Sequence, residues 1–138
     1  MAAMVYRATA FPLLWMRRDK KGNSKTTERI QLIERWFKCL PKKQIKAVVA
    51  DREFIGCDWF RWLQKEGLTF YIGIKKNTNV STQGPAKPFF WRVESLAIKQ
   101  AKTIAAPVRF SGHKLHLVGV KLAPNGVTIA TNGAADSA

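Results

Sequence analysis

Three adjacent ionisable residues, Asp51-Arg52-Glu53, close the apolar run "IKAVVA" in a chain that has nine Asp and Glu in all. A carboxylate at the C-terminal end of a strand lies where α/β sheets gather ligands and chemistry. Backbone amides of the turn that follows, and the N-terminus of a helix beginning near Cys57, can stabilise its negative charge. The alternative is that Asp51 only starts a turn or caps that helix. Glu53 is either a second carboxylate of the site or the acidic half of a surface ion pair with Arg52, worth less than about 1 kcal/mol. A basic pair, Lys75-Lys76, ends a second apolar run, "LTFYIGI". On the same side of a sheet as Asp51 it would suit a phosphate; otherwise it is a solvated strand end.

The elements that must position these groups are legible from periodicity. "KAVVAD" is apolar on consecutive positions, as in a strand buried on both faces. "CDWFRWLQKEG" carries Trp59, Trp62, Leu63 and Glu66 at helical spacing, with Gly67 as its C-terminal stop. Upstream, Ile30, Ile33, Phe37 and Leu40 put one apolar face on a helix over about Thr27–Leu40, which Ser24 or Thr26 would cap and Pro41 would end. The chain opens with two strands, Met4–Thr9 and Phe11–Met16, followed by the polar turn "DKKGNS". The middle of the chain thus reads helix, strand, helix, strand, which implies parallel pairing in an α/β sheet. After Asn77, "NTNVSTQGPAKP" reads as a loop. "FFWRV", "AKTIAAPVRF", "KLHLVGVKL" and "GVTIAT" then read as an antiparallel β region. The expected organisation is a core over residues 1–77, a β-rich region over 78–132 and a frayed tail over 133–138.

Charge narrows the partners. Twenty-four Lys and Arg leave a net charge of +15, and 46% of the 138 residues are hydrophobic, so this is a globular chain rather than a disordered polycation. A field of that sign attracts polyanions, with nucleic acid the commonest. Two cysteines form no disulfide framework and favour a reducing cytoplasm. No leader pattern and no run long enough to span a bilayer are present in the sequence, so no membrane partner is expected.

Read together, "FPLLWMRRDKKGNSKTTERIQLIERW", "KAVVADREFIGCDWFRWLQKEGLTFYIGIKKNT" and "VTIATNG" resemble, in order and interval, the DDE transposases of bacterial insertion sequences, within the insertion-sequence-four group. The resemblance covers Met4 to about Asn132, and its most specific part is "ADREFIG" with "GNS" and "IKKNT". It implies a ribonuclease-H-like fold, a mixed sheet with helices, followed by a β-rich insertion. It further implies DNA as partner, the bacterial cytoplasm and its nucleoid as location, and Mg²⁺ or Mn²⁺ as cofactor of the parent family, not expected to be bound competently by this chain. It allows an oligomer in the intact parent and leaves the oligomeric state here open. In such enzymes three carboxylates hold two metal ions against the DNA backbone for in-line displacement. Asp51 matches the second of the three and is the residue expected to be catalytic and metal-ligating; Arg52, Lys75 and Lys76 are the expected DNA contacts.

The pattern departs from the family at both flanks. No acidic residue precedes Asp19, which lies in a turn, and the Tyr-Arg-Glu-Lys helix that brings the family's Glu is not found. The expectation is a catalytic-domain fragment without the first strand and the Glu helix, marginally stable and inactive alone. Two rivals remain: a non-enzymatic basic nucleic-acid-binding protein, and a nuclease using Asp51 and Glu53 as its own ligand pair, since residues i and i+2 of a strand face the same way. His113 and His116, three apart on a strand, face opposite ways and make no zinc pair. The aromatics of "WFRW" and "FFW" read as core, and Cys57 as structural, with no His near it in sequence.

Overall fold

The computed structural model describes residues 2–6, 9–14, 25–82, 89–93, 102–104, 107–121 and 126–133. The chain divides into two compact units, Met1–Ile45 and Lys46–Ala138. In the first, β1 (Ala2–Tyr6) and β2 (Thr9–Leu14) pair antiparallel, about two residues earlier in sequence than their apolar pattern suggests. Pro12 lies opposite Ala3, where the register shifts between Ala2 and Ala3. A residue without an N–H is tolerated at such an irregularity in the ladder.

Helix α1 spans Thr26–Cys39. Thr26 is therefore inside the helix and not its cap, while Ser24 lies outside the described residues. The N-terminus is closed instead by Glu28, whose carboxylate accepts from the Lys25 N–H at 2.9 Å, the returning half of a capping box. At the other end the Leu40 N–H donates to the Trp36 carbonyl, and Pro41 follows. Ile33 is buried, and Ile30, Phe37 and Leu40 are half-buried, as their three- and four-residue spacing requires.

The second unit is one mixed sheet. Strands β3 (Val48–Ala50), β4 (Phe70–Gly73), β5 (Asn79–Thr82), β6 (Phe89–Arg92), β7 (Lys102–Ile104), β8 (Val108–Phe110), β9 (His113–Lys121) and β10 (Gly126–Thr131) assemble in the order β3-β4-β10-β9-β8-β5-β6, with β7 pairing β9. Among the described residues only β3 and β4 pair parallel, Val48 opposite Phe70 and Ala50 opposite Ile72. The link between them is α2 (Cys57–Lys65), the crossover that a parallel pair needs. Gly67, at φ +66°, ends α2 with Leu68 N–H donating to Leu63 O and Gly67 N–H to Gln64 O, the two bonds of a Schellman turn.

The core of this unit forms where α2 meets the sheet. Trp59, Phe60 and Leu63 are buried, and Phe60 stacks on Phe70 at 4.9 Å while meeting Phe110 edge-on at 5.8 Å. Along β4, Phe70, Ile72 and the following Ile74 are buried on alternate positions, and Leu115, Leu117 and Val118 of β9 are buried as well. Two expectations are corrected. Strand β3 is not buried on both faces: it is three residues at one end of the sheet order, and Val49 is 73% exposed. The polar "NVST" is not loop but β5, because pairing to β6 on one side and β8 on the other overrides its composition.

Just past β10, the Asn132 side chain accepts from Phe70 N–H at 2.9 Å and donates to the Leu68 carbonyl at 3.0 Å, standing in for one more ladder position beside β4. Asn132→Ala leaves both groups short of a partner, and should lower unfolding stability by about 1–3 kcal/mol in a urea titration.

Candidate functional site

The parallel pairing of β3 and β4 ends both strands at the same level, and the residues that follow them meet there. Asp51 follows Ala50 directly, and a single 3-10 turn, Arg52–Phe54, turns the chain away. Asp51 is the N-cap of that turn: its Oδ1 accepts from the Arg52 N–H at 2.6 Å and its carbonyl from Phe54 N–H at 2.9 Å. The capping alternative is thus realised, on the 3-10 turn rather than on α2, whose N-cap is Gly56. Capping uses one carboxylate oxygen and leaves the side chain exposed.

A cleft of about 510 Å³ opens at this edge, lined by Asp51, Arg52, Lys75, Lys76 and the β10 residues Val127 and Thr128, among others. All four residues singled out in the sequence therefore border one space. Their closeness depends on Gly73. A Cβ there would lie 3.2 Å from the Arg52 backbone nitrogen, so the missing side chain lets the turn carrying Asp51 sit against β4. The third wall was not foreseen. Ile74 N–H donates to Thr128 O at 2.9 Å, drawing the start of β10 beside Lys75. The segment "GVTIAT" reads plainly as a strand, but no local signal says which strand it pairs.

Glu53 takes a different partner from the one expected. Its Oε1 lies 3.3 Å from Lys75 Nζ, across the cleft edge, with both side chains about half exposed. Residues 52–54 form a turn and not a strand, so the argument that positions 51 and 53 face the same way does not hold here.

The family resemblance calls for a divalent cation, and the donor set does not fit one. Asp51 shares one oxygen with the Arg52 N–H, and Glu53 is engaged with Lys75. Among the described residues no group of three or more His, Cys, Asp or Glu is placed to hold a metal ion. Two hard-oxygen side chains, one of them paired to an ammonium, fall short of a site that holds two octahedral cations.

Comparison with known proteins gives one family. The profile described as Transposase DDE domain matches residues 2–118. No curated protein matches the chain, and no solved structure does. Among the described residues no helix is long and apolar enough to cross a membrane.

Two substitutions separate the packing of this edge from its charges. Gly73→Val should lower stability by about 1–3 kcal/mol, by forcing the Arg52 turn off β4. Glu53→Gln removes a half-exposed ion pair and should change stability by less than about 1 kcal/mol. Urea midpoints of the two variants against the parent check both.

Proposed function

The chain belongs to the transposase DDE domain family, and from that premise we propose that the cleft at the ends of β3 and β4 holds the DNA backbone. Arg52, Lys75 and Lys76 are the phosphate contacts in this reading, and Asp51 is the counterpart of one catalytic carboxylate of the family. The supporting observation is that Asp51, exposed at the tip of a strand paired parallel to β4, shares a cleft with all three cations. The finer assignment, a ribonuclease-H-like core of the insertion-sequence-four group with a β-rich insertion, rests on the ordered motifs "GNS", "ADREFIG", "IKKNT" and "ATNG".

What this chain's residues do follows from their chemistry. Lys76 is exposed and offers a strongly hydrated point charge to a phosphate oxygen. Lys75 reaches DNA by exchanging Glu53 for a phosphate, an exchange made easy by the weakness of half-exposed ion pairs. Arg52 holds Asp51 through its backbone, leaving its guanidinium for a second phosphate oxygen. Members of the family generally use divalent metal ions. Because the donor set here does not fit such a site, we assign this chain DNA binding without efficient strand cleavage. Its net charge of +15 favours the same binding in the rival reading, a basic nucleic-acid-binding protein with no catalytic ancestry.

Fluorescence anisotropy on a short duplex, read against salt, tests the cleft. Lys75→Ala and Lys76→Ala should each weaken binding and reduce the log–log salt slope by about 1, whereas Asp51→Asn should tighten binding by removing a carboxylate facing phosphate. Unchanged affinity and slope in both lysine variants would move the DNA to another face. Nicking of supercoiled plasmid in Mg²⁺ or Mn²⁺ should not exceed background. Metal-dependent nicking that disappears in Asp51→Asn would show instead that the chain cleaves DNA.

A further inference from the structure

Cys57, expected from sequence to be structural, has a histidine beside it after all. Its Sγ lies 3.6 Å from His113 Nε2, a residue 56 positions further along. The far ring nitrogen of His113, Nδ1, is 2.7 Å from Gln64 Oε1. With the amide oxygen facing it, Nδ1 carries the hydrogen, and Nε2 is left as an acceptor pointed at the thiol. Buried Phe60 holds the imidazole edge-on at 6.4 Å. Arg61 Nη2 donates to the same sulfur at 3.5 Å while its Nη1 stays paired with Asp58 at 2.9 Å. The sulfur belongs to the first side chain of α2, and the thiol also lies within donating distance of the Ser111 carbonyl, at 3.6 Å. A nucleophile, a base and a group orienting the base are thus brought together, and the Arg61 guanidinium faces the charge the thiol would acquire.

We propose that Cys57 is a reactive thiol, activated by His113 with Gln64 as the positioning residue, that exchanges with low-molecular-weight disulfides. Nε2 accepts the thiol proton as Sγ forms a bond to one sulfur of the disulfide. The S–S bond breaks, and the departing sulfur takes the proton from His113. One mixed disulfide on Cys57 and one free thiol result, the small disulfide serving as oxidant. The other cysteine is a built-in control, since Cys39 is exposed at the end of α1 while Cys57 is half-buried. Access alone would make Cys39 the faster of the two.

The test is competitive alkylation of the full chain with limiting iodoacetamide at neutral pH, resolved by peptide mass spectrometry and repeated with oxidised glutathione. Cys57 should react about tenfold faster than Cys39 with iodoacetamide and carry the glutathione adduct first. His113→Ala should remove the preference. Gln64→Leu should reduce it, and Gln64→Glu, which accepts from Nδ1 in the same way, should retain it; a purely steric role for Gln64 would not divide these two. Cys39 reacting as fast as Cys57 in the parent chain overturns the proposal, whether or not any variant folds. So does an unchanged Cys57 rate in a folded His113→Ala or Gln64→Leu chain.

Discussion

The stack of Phe60 on Phe70, 4.9 Å apart between a helix and the strand it precedes, is the contact on which the second unit turns. Two strands can run parallel only if the chain returns to the starting edge between them, and α2 makes that return. A helix of nine residues is too short to hold itself together in water. Burial of Trp59, Phe60 and Leu63 supplies what its backbone bonds do not, with apolar side chains worth about 1.5–3 kcal/mol each when fully removed from water. Once the helix lies on the sheet, the ends of β3 and β4 must fall side by side. The cleft residues are neighbours because aromatic rings on the other side of the strand meet.

Within the cleft, charge is unevenly distributed. Asp51 is set among Arg52, Lys75 and Lys76, and Glu53 pairs with Lys75. Asp51 keeps its place not by a cation but by capping a turn, and this bond to the Arg52 N–H would survive a change of charge nearby. A group tied by its own backbone is already oriented before any ligand arrives, and so loses little freedom on binding.

Much of this was readable in the residues alone. The α1 face, the stop at Gly67, the parallel relation of β3 to β4 and the antiparallel character of the chain from Phe89 on follow from local pattern, although the one segment read in "AKTIAAPVRF" divides into β7 and β8. The misreadings have non-local causes. A run as apolar as "AVVA" implies neighbours on both sides, yet Val49 faces outward, since burial depends on which strands lie next to it. The strand "NVST" has no pattern of its own and exists through its partners. Cys57 and His113 are likewise neighbours only through the fold, the histidine arriving on the strand after the Ser111–Gly112 turn, where both residues have positive φ and the hairpin closes tightly. For Asp51, position was legible and setting was not: sequence places it at a strand end, and only the fold reveals what it caps.

The location of β10 carries a consequence for the life of the chain before it is folded. This strand lies between β4 and β9, and Asn132 secures it to the first turn of chain before β4. Among the described strands it is also the last in sequence, and so leaves the ribosome after the others. Until it emerges, β4 has a vacant long-range edge and the apolar β9 has no neighbour on that side. Pairings between distant segments form slowly and leave sticky edges exposed meanwhile. Nascent molecules of this protein should therefore lean on holding chaperones until this strand slots between β4 and β9.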